Sequence, residues 1–286
     1  MRPLLLAIVA LALVPQAATA STSDLAPSTP WTVSYGTGSC RLSRSFGEGK
    51  DAMAILIEQF GDEDAQWITF ASHRFHTGRL RNTVRIAWGP TNDLQTVEAY
   101  GGAIGQEALP TLALDEIDPF GRPHSRGDEP LAAVGKEKEA ALTELRFVDN
   151  SANHVRLLTG PMDQPLAAMH KCARDLLAHW GVDPAARAHY QTRARPSTDP
   201  LLWLDSGDYP PAMLVRNESA RLHFRLSIDA SGAASGCEIL QRTDPPGPAR
   251  TVCDLLMKRA RFKPAMDASG KPANDVYVSA VVFRSH

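Results

Sequence analysis

Apolar and polar residues alternate most cleanly near the C-terminal end of the chain. In "ARLHFRLSID", Leu222, Phe224, Leu226 and Ile228 fall on one side. Arg221, His223, Arg225, Ser227 and Asp229 fall on the other. A period of two over this length predicts a half-buried strand with one wet face. Asp229-Ala-Ser-Gly232 then reads as a turn, and "SGCEILQRT" returns as a second strand with Cys237 and Ile239 on one face. In "ARTVCDLLMKRARF" the period changes. Val252, Cys253, Leu255, Leu256, Met257 and Ala260 give a broad helical apolar face, and Lys258, Arg259 and Arg261 crowd the end where cations complement the helix dipole. Phe262-Lys-Pro264-Ala stops this helix, Asp267 to Gly270 turns the chain, and Asp275 to Arg284 reads as a final β-branched strand.

The front of the chain follows other patterns. "WTVSY" alternates Trp31, Val33 and Tyr35, and "NTVRIAW" alternates Val84, Ile86 and Trp88. "AMAILIEQF", "LTELRFV" and "HVRLLTG" are further strand candidates, the first also compatible with a short helix. Pro110 to Glu139 is rich in Pro, Gly and charge and reads as a long surface loop. "DQPLAAMHKCARDLLAHWG" is the clearest helix. Leu166, Met169, Ala173, Leu176, Leu177 and Trp180 recur at three- and four-residue steps, Asp163 is placed to cap, and Gly181 stops it. From Val182 to Asp199 no period is sustained.

These patterns divide the chain into residues 1–20 as a signal peptide, 21–181 as a β-rich N-terminal domain, 182–200 as a linker and 201–286 as a C-terminal domain. The signal peptide rests on Arg2, the apolar run Leu4 to Val14, and the small-x-small Ala18-Thr19-Ala20. The apolar run is far shorter than the about 20 residues a spanning helix needs. An exported chain with no stable membrane span after cleavage is therefore expected.

Composition narrows function by exclusion. The 286 residues are 43% hydrophobic and 22% charged, which suits packed cores. A net charge of −2 offers no case for nucleic acid. Four cysteines in an exported chain permit two disulfides in three pairings. Cys172 lies at the edge of the first helix's apolar stripe, with Cys40 as its natural partner in the early strands. Cys237 in a strand and Cys253 in the following helix form the second expected pair.

Enzyme chemistry is hard to find. There is no Gly-x-Ser-x-Gly elbow and no P-loop, and Gly36-Thr-Gly38 is too short for a dinucleotide fingerprint. His73-x-x-His76 follows a strand-like stretch, which sends the two rings to opposite faces. His124, His170 and His179 have no evident carboxylate or cysteine neighbour. No enzyme activity, cofactor or metal is expected, although a site formed across residues 31–181 would escape this reading.

Tyr209-Pro210, the strand with its Asp229–Gly232 turn, the helix running into Phe262-Lys-Pro264-Ala265, Asp267 to Gly270 and the closing strand form an ordered set over Tyr209 to Phe283. That set resembles the C-terminal domain of TonB-type energy transducers. The resemblance implies a three-stranded antiparallel sheet with helices packed on one face. The whole chain is then expected to be α+β, this module following a separate β-rich α+β domain. It also implies a periplasmic module that binds a protein partner, such as a TonB-dependent outer-membrane receptor, by strand addition. By carry-over the docking edge is Val276, Tyr277, Val278, Ser279, Ala280, Val281, Val282 and Phe283. There are two departures from the family: members that transmit force usually keep an N-terminal anchor and a long Pro-rich spacer, which puts force transmission in doubt for a chain with a cleaved signal, and Asn217-Glu218-Ser219 stands where a Glu-Gly pair is common. An adaptor that reuses the fold without energy transduction is the alternative.

Overall fold

The structure, a computed structural model, describes residues 22–61, 66–75, 81–120, 134–149, 154–216, 220–242 and 249–283. The expected signal peptide lies outside them, as do His76, His124 and Arg284.

The first part is a ten-stranded sheet. Its strands are β1 (Ser23–Leu25), β2 (Thr32–Tyr35), β3 (Cys40–Phe46), β4 (Met53–Gln59), β5 (Gln66–Ala71), β6 (Arg81–Trp88), β7 (Gln95–Ile104), β8 (Leu109–Ile117), β9 (Leu145–Val148) and β10 (His154–Leu157). They lie in the order β1-β10-β9-β6-β7-β8-β5-β4-β3-β2. The β1–β10 pair is parallel and the other neighbours are antiparallel. Just past β1, Ser28 N donates to Ser45 O, Gly47 N donates to Ala26 O, and Pro27 bridges Phe46. The sheet thus curls until its first edge meets β3, which shields edge hydrogen-bonding groups.

Helix α1 (Lys136–Ala140) and helix α2 (Asp163–His179) complete this part. Leu166, Met169, Cys172, Ala173 and Leu176 of α2 share one core with Leu42, Ile55, Ile57, Phe70, Phe147 and Leu157 of the sheet. The 3.6-residue stripe is thus the face α2 buries. Gly181, at φ +79°, ends the helix, with Val182 N donating to Leu177 O. Asp163 is not the cap. The N-cap is Met162, whose side chain makes no capping hydrogen bond, and Asp163 is the first helical residue.

The second part contains α3 (Pro184–Arg187), β11 (Arg195–Pro196), α4 (Pro211–Val215), β12 (Ala220–Ile228), β13 (Ala234–Arg242), α5 (Ala249–Arg259), β14 (Phe262–Lys263), β15 (Ala265–Met266), β16 (Pro272–Ala273) and β17 (Asp275–Phe283). Its main sheet has the order β13-β12-β17. Leu222, Phe224, Leu226 and Ile228 face a core built from Val252 and Leu256 of α5, Trp203 and Phe262.

Two expectations are corrected here. The fold class is not α+β with packed helices: the protein is mostly β, 43% strand against 23% helical, and the ten-stranded sheet dominates it. The reason lies in the stretch from Gln95 to Ile117. Gly101, Gly102 and Pro110 obscure its pattern, yet it forms the long neighbours β7 and β8. The long loop expected over 110–139 is in its first residues the strand β8. The second correction concerns β12. Its polar face is only partly wet: His223 is buried against Phe60 and Trp67, while Arg221, Arg225 and Ser227 are half-buried.

That contact fastens the two parts together. His223 is 4% exposed and its ring stacks on Phe60, with centroids 4.3 Å apart and planes 10° apart. Trp67 meets both rings edge-on, at 4.9 Å and 5.0 Å. Arg225 lies 4.8 Å over the Trp180 ring. Val276 packs with Leu177 and Val182. The buried Glu58 carboxylate accepts from Ser39 Oγ, Arg41 Nε and, across the interface, Gln241 Nε2 at 3.1 Å. Gly38 sits where a Cβ would stand 2.9 Å from Leu240 Cβ and 3.0 Å from its backbone, so this glycine serves close packing.

Candidate protein-binding edge

The C-terminal sheet has β12 in its middle, and β17 pairs with it over nine residues, from Ala220↔Phe283 to Ile228↔Asp275. On its other side β17 pairs with no strand among the described residues. The order follows from chain path: β12 turns directly into β13 through Asp229-Ala-Ser-Gly232, and β17 returns on the remaining side after α5. Val276 to Phe283, the eight residues expected to form a docking edge, therefore lie along an outer strand. Alternate backbone N–H and C=O groups of such a strand point away from its neighbour.

Pairing also assigns the faces. Tyr277, Ser279, Val281 and Phe283 stand opposite Leu226, Phe224, Leu222 and Ala220, on the core side. Val276, Val278, Ala280 and Val282 stand opposite Ser227, Arg225, His223 and Arg221, on the side that meets the first part. Val276 and Phe283 are buried, Tyr277 to Val281 are half-buried, and Val282 is exposed.

The start of the strand is locked. Asp275 and Arg187 form a fully buried ion pair, Arg187 Nε donating to Asp275 Oδ1 at 2.5 Å. Val276 N donates to the same oxygen, and Ala194 N donates to Oδ2 at 2.8 Å. The two charges and their hydrogen bonds satisfy each other away from water. The stretch expected to be a linker thus supplies the anchor for the edge strand: α3 is its one helical turn, and Arg187 lies in it.

A second segment braces β17 from the core side. The Trp203 ring lies 5.7 Å from Tyr277 and 5.4 Å from Phe262, and Tyr209 meets Phe283 at 5.3 Å. Arg259 at the end of α5 holds this segment by donating to Trp203 O and to both Asp208 carboxylate oxygens. The rows of Arg and Lys expected to suit the helix dipole thus include one residue with a specific partner.

The cysteines form Cys40–Cys172 and Cys237–Cys253. The first joins β3 to α2, and the second joins β13 to α5. Both hold the frame around the edge. His73 is exposed, and among the described residues no group of three or more His, Cys, Asp or Glu could hold a metal ion. No helix among them is long and apolar enough to cross a membrane.

No family model matches the chain, and no curated protein matches it. Sequence reasoning missed the aromatic seat of His223 and the anchor Arg187–Asp275. The unusual presence of a histidine opposite an apolar face, and Asp275 at the head of an apolar strand, were the available signals.

Proposed function

We propose that this protein is a periplasmic TonB-like module that binds an extended segment of a protein partner by strand addition along the outer edge of β17. The observation that carries this reading is the one-sided pairing of β17, on β12 alone among the described residues. An incoming backbone satisfies the outward N–H and C=O groups, and the side chains beside the strand supply selectivity. A TonB-dependent outer-membrane receptor is the partner class that the resemblance of Tyr209 to Phe283 suggests. The two disulfides support an oxidising compartment, which the periplasm provides.

A second reading is an adaptor that uses the same edge without transmitting force. The packing of β12 and β17 on the first part favours it. A module seated through His223, Arg225, Val276 and Gln241 on the sheet and on the end of α2 is held as one piece with the first part.

Proline scanning tests the edge. Proline lacks the N–H that a ladder needs, and N–H direction alternates along a strand. Tyr277, Val278, Ser279 and Ala280 are replaced one at a time. Outward sites should keep the fold and lose receptor-segment binding, while inward sites should destabilise the protein. Folded variants that all bind as well as the parent would rule out strand addition at β17.

A further inference from the structure

The two parts have separate cores. Leu42, Ile55, Phe147 and Met169 belong to one, and Leu222, Phe224, Val252 and Leu256 to the other. Each part also has its own disulfide, Cys40–Cys172 in the first and Cys237–Cys253 in the second, so no disulfide spans the junction. The described chain passes between the parts once, from His179 at the end of α2 to Pro184 at the start of α3. Gly181 stands in that passage with φ +79°, and a Cβ on it would meet nothing within 4 Å. α3 itself belongs with the second part, through Arg187 and Asp275. Such an arrangement lets the junction separate without opening either core.

The groups buried in the junction are poorly matched. Arg221 Nε donates to His223 Nε2, which puts the hydrogen of the neutral ring on Nδ1, and Nδ1 is buried without a hydrogen-bond partner among the described residues. Trp67 Nε1 and Arg225 Nε and Nη1 are buried in the same state. Each of these donors gives up hydration that separation would restore.

A second proton on the ring has no place in the docked form. It would turn Nε2 into a donor facing a donor, beside the Arg221 charge. Arg221 and Arg225 of its own strand are both cations. β13 sets Gln241 opposite His223 and Glu238 opposite Arg225, and Arg225 Nη2 donates to Glu238. β17 sets Ala280 opposite the ring, between Val278 and Val282. From the first part Phe60 and Trp67 present rings, and the Glu58 carboxylate is occupied by Ser39, Arg41 and Gln241. On a separated strand face the same imidazole takes up a proton near pH 6.5.

We propose that His223 is a proton-sensitive latch: acidification releases the C-terminal part from the ten-stranded sheet while both cores stay folded. This does not depend on the strand-addition reading. The separated form binds the proton and the docked form does not. The ratio of separated to docked molecules is therefore level above about pH 6.5 and rises up to about tenfold per pH unit below it. Burial holds the docked imidazole down at about 3, so the rise runs through the mildly acid range.

Fluorine NMR of the full chain carrying fluorotryptophan tests the latch. Trp67 and Trp180 lie at the junction, Trp88 in the first core and Trp203 in the second. Single phenylalanine replacements assign the resonances, and saturation transfer reads the minor, separated form. Between about pH 6.5 and 4.5 that form should grow on the order of a hundredfold at Trp67 and Trp180. Trp88 and Trp203 should not change. His223→Phe and His223→Leu keep an apolar side chain against Phe60 and cannot take the proton, so either variant should abolish the growth. The parent profile decides by itself whether the junction responds. A level response at Trp67 and Trp180 would overturn the latch. A change at Trp88 and Trp203 with the same midpoint would show whole-chain unfolding and overturn it as well. A folded variant that keeps the parent profile would assign the response to another group, such as Glu58, and remove His223 from it.

Discussion

His223 and Phe60 stack face to face across the junction between the three-stranded and ten-stranded sheets, 4.3 Å apart. The imidazole belongs to a strand face that is polar in sequence, yet it is buried. Arg221 Nε donates to its Nε2 at 3.1 Å, so the neutral ring carries its proton on Nδ1. Burial, with the Arg221 charge adding to it, pushes the imidazole down to about 3.

The pH dependence follows with a definite sign. An exposed histidine takes up its proton near pH 6.5, while this buried one stays neutral to about 3. The unfolded chain therefore binds the extra proton first. The stabilisation is fully present above about pH 6.5 and is lost as pH falls toward 3, at up to about 1.4 kcal/mol per unit. His223→Phe keeps a ring against Phe60 and removes the titration. Denaturant midpoints measured from pH 7 to pH 4 should fall less steeply for the variant. Parallel curves would show that His223 does not contribute.

Gly232 and Gly270 end the two Asp-Ala-Ser-Gly turns, and alanine at each should behave differently. In both turns the aspartate Oδ1 accepts from the Ser N–H, the Ser hydroxyl and a backbone N–H beyond the glycine. Both glycines have positive φ, +85° and +77°. A Cβ on Gly232 would lie 2.3 Å from Phe262 O, whereas on Gly270 its nearest contact is 3.6 Å. Gly270→Ala should cost about 1–2 kcal/mol from backbone conformation alone. Gly232→Ala should cost about 3 kcal/mol or more, because the backbone of β14 must also move. Chemical denaturation of the two variants gives the comparison, and equal costs would remove the steric argument.

The disulfides should differ in both contribution and reactivity. Cys40 and Cys172 are 132 residues apart and buried, and Cys237 and Cys253 are 16 apart and half-buried. Loop-closure entropy assigns the long link about 5 kcal/mol and the short one roughly 3 kcal/mol. Paired alanine replacements should show that order in unfolding midpoints. Mild reductant followed by thiol labelling should open Cys237–Cys253 first, since attack needs access. Labelling of Cys40 before Cys237 would contradict this.

Much of the C-terminal sheet was legible because its residues keep a strict period of two. Leu222, Phe224, Leu226 and Ile228 announce a buried face without help. The same period cannot say what covers the other face. His223 and Arg225 look like solvent-facing residues until Phe60, Trp67 and Trp180, more than a hundred residues earlier or on another helix, are brought against them. The ten-stranded sheet was legible only in parts. β4, β5 and β6 carry continuous or alternating apolar residues, whereas β7 and β8 carry glycines and a proline and owe their strand state to their neighbours. The edge position of β17 was half legible. That it comes last is plain, but its pairing with β12 depends on α5 carrying the chain back. Its anchor, Arg187–Asp275, spans 88 residues and leaves no local pattern.

Residue-resolved amide hydrogen exchange over Val276 to Phe283 tests strand addition most directly. In the free protein, inward amides should be protected by β12 and alternate outward amides should exchange fast. Saturating the protein with a synthetic receptor segment that adds at this edge should slow those outward amides and leave the ten-stranded sheet unchanged. Outward amides that stay fast in the bound protein, or protection that arises on the ten-stranded sheet instead, would contradict the account.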